Sequence, residues 1–331
     1  MRLFGKLILW KAGLRILALS LSLIMFSAAA FASSGQNHET RLAITVDDLP
    51  EHGDLPVGIN RMNVTHEIIK ALRENGVKQP YGFLNGYFMH YDPAEVNIVR
   101  EWLHAGYPLG NHTYEHTDLE RVSAQDFISD IEKLNGLLRT LESPSELAQY
   151  GHLFRYPYLH EGETLPKRNT VRTYLRKSGY TVAQVTVDYH DWAWTDAYAR
   201  CVSENNQEAI SWLKHNVVHS AELHLDYSEE LAQILFSRDI PHILLIHFGI
   251  FDAVTLDSVL RTLRERGVRF ITLEEALGDP VYEINPNLAY SGERTFLEQL
   301  AAARGLEIST LRDQLYSEDR LSKVCMPQVS N

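Results

Sequence analysis

The 331-residue chain is poor in cysteine, with only Cys201 and Cys325, and short of basic residues, with 31 Lys and Arg against 43 Asp and Glu. Two thiols are too few for a disulfide-framework domain or a cysteine-rich zinc module, so the fold must rest on a hydrophobic core. The formal net charge of -12 excludes nucleic acid as the natural partner, because counterion release needs a basic face. Long apolar runs are also missing. The most apolar stretch, residues 14–31, is broken by Ser20, Ser22 and Ser27, and a membrane span wants roughly 20 apolar residues. What remains is ordinary globular material, 45% hydrophobic and 22% charged, long enough to bury one large core.

That first apolar stretch has its own explanation. Arg2, Lys6, Lys11 and Arg15 precede or overlap it, no acid occurs before residue 33, and it ends on Ala30-Phe31-Ala32. This is the three-part build of a secretory signal peptide. The expectation is a leader at 1–32 and a periplasmic or extracellular mature chain with no membrane span and no lipid anchor, since no cysteine lies near the cleavage site. An oxidising compartment would let Cys201 and Cys325 pair, pinning the C-terminal tail to the middle of the chain.

Along the mature chain, apolar runs at 42–46, 81–85, 106–110, 152–156, 181–187, 242–247 and 268–272 alternate with helical patterns at 60–75, 94–105, 123–142, 165–178, 205–237 and 253–266. Seven such strands separated by helices predict an α/β fold with a parallel sheet, either a barrel or an open doubly wound sheet. The expected organisation is one domain over 33–277, a helical insertion at about 193–240, and a C-terminal extension at 278–331 with its own helix.

Residues with chemical potential gather at the strand ends: Asp47 and Asp48, His112 and His116, Arg155 and Tyr158, Asp188, Asp191 and Trp192, then His247. In a parallel barrel the C-terminal strand ends share one face. Two histidines four apart on one helical turn, with a carboxylate from another strand, make an open three-ligand metal site. One aspartate of the pair can then be a ligand while its neighbour, kept ionised by an arginine, acts as a base.

In this order the motifs resemble those of the polysaccharide deacetylases of the NodB-homology type, carbohydrate esterase family 4. Thr45-Val46-Asp47-Asp48-Leu49-Pro50 is similar to that family's opening motif, and His112-Thr113-Tyr114-Glu115-His116 to its second. Arg155-Tyr156-Pro157-Tyr158, Asp188 to Trp192, and Leu244 to His247 correspond to the remaining three. The resemblance covers roughly 40–275 and implies a distorted (β/α) barrel of seven strands. It further implies Asp48, His112 and His116 as metal ligands, Asp47 as base, Arg155 as the residue fixing Asp47, and His247 as general acid. Asp191 would orient His247, Trp192 would shield that pair, and the backbone N–H of Tyr158 would help to stabilise the oxyanion. Val46 and Leu49 depart from the family's usual Phe and Gly, which bears on the shape of the groove rather than on any reacting group.

The expected activity is therefore removal of acetyl groups, N-acetyl before O-acetyl, from an oligosaccharide or polysaccharide, with zinc as the metal and cobalt or nickel also suited to the donor set. A non-glycan amide is the alternative substrate. His112 to His116 also reads as H-x-x-E-H, the inverted zincin signature, which would make Glu115 the base of a peptidase and leave Asp47, Arg155 and His247 idle. A non-catalytic carbohydrate-binding protein is a further reading, but it predicts a lost ligand, base or acid, and none is lost. His215 and His219 read as a solvated helix face. Tyr114, Tyr189 and Trp194 suit either sugar stacking or packing.

Overall fold

The computed structural model describes residues 39–143, 152–308 and 318–326, so the expected leader at 1–32 lies outside them. Eight strands form one parallel sheet: β1 (Arg41–His52), β2 (Tyr81–Leu84), β3 (Leu109–Asn111), β4 (Leu153–Phe154), β5 (Thr181–Val182), β6 (Val187–Asp188), β7 (His242–Gly249) and β8 (Arg269–Ile271). Their order is β5-β4-β3-β2-β1-β7-β6, with β8 paired to the start of β1. β1 is central and buried from Leu42 to Pro50, as its unbroken apolar run requires of a strand covered on both faces.

One expected strand behaves differently. The run 181–187 divides into β5 and β6, which lie at opposite edges of the sheet. Ala183 N donates to Phe154 O at 2.8 Å on one side, and Thr186 N to Ile243 O at 3.0 Å on the other. A single stretch of chain thus bridges the two edges, and its continuity closes the distorted barrel where no ladder does.

Helices α1 (Arg61–Glu74), α2 (Tyr87–Tyr91), α3 (Glu95–His104), α4 (Ala124–Leu141), α5 (Leu165–Lys177), α6 (Asp191–Ser203), α7 (Gln207–Phe236), α8 (Ile250–Glu265), α9 (Leu273–Leu277), α10 (Phe296–Ala303) and α11 (Glu318–Lys323) accompany the sheet. Their starts are capped by side chains that accept otherwise unpaired N–H groups: Asn60 for α1, Ser123 for α4, Thr164 for α5 and Asn206 for α7. After α3 and α8 the chain turns at Gly106 and Gly267, with φ of 83° and 90°, where a side chain would be strained.

The C-terminal residues pack on α7. Phe296, Leu297 and Leu300 of α10 are buried against Tyr227, Leu231 and Leu235 of α7. Cys201 of α6 and Cys325 form the expected disulfide, and Arg200 donates to the carbonyls of Leu321 and Val324 beside it. Among the described residues no helix is long and apolar enough to cross a membrane.

Candidate active site

Neighbouring residues on a regular strand face opposite ways, so Asp47 and Asp48 should not share a site. They do so because β1 is irregular. Asp48 has a φ of 61°, and the register of β1 against β2 slips between Val46 and Leu49. Both carboxyls then line one cavity of about 210 Å³. The β1–β7 ladder sets Asp47 opposite His247.

Arg155, just after β4, is 1% exposed. Its Nη1 donates to both Asp47 oxygens at 3.2 and 3.1 Å, its Nη2 to Thr45 Oγ1 at 3.1 Å, and its Nε to Ala183 O at 2.7 Å. Its guanidinium also lies 4.6 Å from the centre of the Phe83 ring. Gly110 permits that packing, since a Cβ there would stand 2.5 Å from Phe83. Burial pushes the Asp47 carboxyl up to about 7, against the pull of Arg155 and His247.

Asp48 Oδ1 lies 3.6 Å from His112 Nε2 and 3.3 Å from His116 Nε2. The other nitrogen of His112, Nδ1, is 2.9 Å from Arg155 O, a carbonyl that can only accept, so Nε2 is the bare nitrogen facing Asp48. His52 Nδ1 contacts Asp48 Oδ2 at 2.8 Å. Asp48 Oδ1 is buried without a hydrogen-bond partner. An orphaned carboxylate oxygen beside two imidazoles is the donor set of an open divalent-cation site, so these residues fit a metal. Burial works to raise the Asp48 carboxyl, but His116 and His52 hold it well below its usual range. Burial also lowers His116, and lowers His112 to about 3.

The two histidines do not sit on a helical turn, as their spacing suggested. Residues 112–116 form a loop after β3, with φ of 61° at Thr113 and 52° at His116. Asn111 Oδ1 accepts from Thr113 N, Thr113 Oγ1 from Thr117 N, and the Asp130 carboxyl from Glu115 N. These side-chain bonds replace the helical ladder. Glu115 pairs with Lys133 and is absent from the residues lining the cavity.

His247 is held by Asp191, which is fully buried. Asp191 Oδ1 lies 2.8 Å from Nδ1 of the ring, and Oδ2 accepts from the His247 backbone N–H at 2.5 Å. Burial opposes charge on the ring, yet Asp191 raises its pKa well above the usual imidazole value. Asp252 lies behind Asp191 and accepts from Tyr189 Oη at 3.2 Å. Burial and the Asp191 charge push the Asp252 carboxyl well above its usual range.

Asp47, Asp48, His112, His116, Tyr158, Trp192 and His247 thus meet at one cavity, while Arg155 and Asp191 act from behind it. Tyr158 has a φ of 57° and stacks its ring 4.5 Å from that of His116. His215 and His219 are exposed on α7, and Trp194 lies in the core against Trp212 and Phe251. Tyr189 is buried on Asp252, and Tyr114 lies under Lys133. None of these three aromatics lines the cavity. Three contributors escaped the sequence reading: His52, whose position after the β1 bulge has no local signature; Glu293, which comes from the tail; and Asp252.

Residues 34–183 match the polysaccharide deacetylase family model. Over that segment the chain is similar to the polysaccharide deacetylases. It is accordingly a hydrolase of carbon–nitrogen bonds other than peptide bonds. The chain is 27% identical over 247 residues to a peptidoglycan-N-acetylglucosamine deacetylase of Bacillus cereus, covering 74% of this chain and 70% of that one. It is 24% identical to a chitin deacetylase of Colletotrichum lindemuthianum, over 72% of this chain and 79% of the other. The solved chitin deacetylase from that fungus superposes with a TM-score of 0.48 at 22% identity, covering 77% of this chain and 93% of that one. Asp191, Trp192 and His247 lie beyond the family match and join the site through the fold.

Proposed function

We propose that the protein removes N-acetyl groups from an acetylated glycan, with Asp48, His112 and His116 holding a divalent cation, zinc first among the metals that suit them. The observation that carries this reading is the orphaned Asp48 Oδ1 facing two imidazoles, with an acid–base pair beside it. When bound, such a cation polarises the acetyl carbonyl and makes a water acidic near neutral pH. Asp47, fixed by Arg155, takes the proton of the attacking water. A cation alongside would draw the Asp47 carboxyl below the value that burial imposes, keeping it ionised for this work.

His247, charged through Asp191, gives a proton to the leaving nitrogen. That favours an amide over an ester, because an amine leaves poorly unless protonated whereas an alcohol needs less help. Trp192 shields the pair, and the Tyr158 N–H completes the oxyanion contacts. The cavity of about 210 Å³ is smaller than the roughly 300–1,000 Å³ of pockets that enclose a whole drug-sized ligand. It suits one acetylated sugar with the rest of the chain outside. The likeness to peptidoglycan and chitin deacetylases supports an extracytoplasmic glycan, in keeping with the leader read at 1–32. We assign the reaction to 33–277 and regard 278–331 as an extension packed on it.

Acetate release over chitin oligosaccharides, peptidoglycan fragments and acetylated xylan tests this. Release from an N-acetylated glycan, abolished by chelator and restored by zinc, is expected. Silence across the panel in folded, metal-binding protein would turn the reading to a small-molecule amide. Glu115→Gln should leave release largely intact; its loss there would favour the peptidase reading.

A further inference from the structure

A second cavity, of about 30 Å³, is lined by Asp188, His190, His224, Ser228, Glu293 and Thr186, among other polar residues. Its volume matches a single water or ion. Asp188, His190 and Glu293 each present a ligand atom within 4.8 Å of the other two, and Asp188 is 3% exposed. Glu293 is partly exposed and its Oε2 lies 3.8 Å from His190 Nδ1; two carboxyls this close to one another and to an imidazole favour positive charge between them.

His224 supplies the independent observation. It is 3% exposed, and its Nδ1 lies 2.7 Å from Ser220 O, a carbonyl that can only accept. Nδ1 therefore carries the hydrogen, and burial keeps the ring neutral. Nε2 is left as a bare, buried nitrogen with no hydrogen-bond partner, on a residue that lines this same cavity. An imidazole with one nitrogen donating to a backbone carbonyl and the other bare is the arrangement found in metal-ligating histidines.

We propose that Asp188, His190 and Glu293 hold a second divalent cation, distinct from the one between Asp48, His112 and His116, with the bare Nε2 of His224 lining the same cavity. An imidazole nitrogen and two carboxylates, with a second bare imidazole nitrogen lining the cavity, suit zinc or cobalt rather than magnesium or calcium. The ion would tie the end of β6 to the C-terminal extension, against the α7 residue His224. Glu293 also lines the active-site cavity, so the ion would fix one wall of that cavity without taking part in the chemistry.

The test is cobalt titration of the chelator-stripped full chain, followed by calorimetry and visible absorption. Two ions per chain are expected for the native protein, one for His116→Ala and one for Glu293→Gln. His224→Ala should weaken the second ion at least 10-fold. Crystals of the native chain grown with zinc should give an anomalous peak between Asp188 and Glu293, a readout independent of whether any variant folds. A single ion per chain with no peak at that place would overturn the proposal, as would a second ion indifferent to Glu293→Gln. Either result would leave the deacetylase reading intact.

Discussion

His52 holds Asp48 Oδ2 at 2.8 Å, which turns Oδ1 toward His112 and His116 and stacks the His52 ring 4.6 Å from that of His247. Truncating it should leave the fold intact but loosen the ligand. We expect His52→Ala to weaken zinc affinity about 10–100-fold, measured by competition with a chromophoric chelator; unchanged affinity would show that Asp48 needs no such support. Asp191→Asn should reduce kcat about 10²–10⁴-fold, because it removes the charge that keeps His247 protonated. A full kcat at neutral pH would remove His247 from the acid role. At this scale the sequence was most legible where adjacent polar residues follow an apolar run, as at Asp47-Asp48 and Asp191-Trp192. His52 and Glu293 were hidden because their places depend on a β-bulge and on the docking of a distant tail, neither of which leaves a periodic trace.

Between the elements, Glu161 shows how the barrel holds a charged group inside. It is 2% exposed and meets Arg168 at 3.0 Å, Arg172 at 2.5 Å and Gln184 Nε2 at 2.9 Å, joining the loop after β4 to α5 and to the 183–186 crossing. Burial works against its charge, but Arg172 and Arg168 hold its carboxyl below the usual range. A carboxylate whose folded pKa is depressed stabilises the fold above its unfolded value, about 4.3, and that stability is lost as pH falls through the folded value. Glu161→Gln should therefore cost about 3–5 kcal/mol at pH 7, with the gap to the native protein narrowing below pH 4 in urea unfolding. A pH-independent gap would contradict the charge argument. Helices were legible to within a few residues because their apolar spacing and caps are local signals. The division of 181–187 was not, because each half is chosen by a different edge of the sheet. Nor was the 112–116 loop, where Asn111, Thr113 and Asp130 outcompete a helical spacing.

For the molecule as a whole, α6 and α7 are bound to the C-terminal residues as well as to the barrel. The Cys201–Cys325 bridge closes a loop of 124 residues, so the double change to serine should destabilise by about 2–4 kcal/mol; an unchanged denaturation midpoint would show that α11 is held by packing alone. The parallel α/β architecture was legible from strand–helix alternation, whereas the tail's contribution of Glu293 to the cavity was not, since nothing local links residue 293 to β1. The central claim is that Asp47 is the base of a metal-dependent deacetylase. Its most direct test is the rate of acetate release from a chitin oligosaccharide by native chain and Asp47→Asn at equal zinc content. A fall of about 10²–10⁴-fold with zinc still bound is predicted; comparable rates for the two proteins would contradict it.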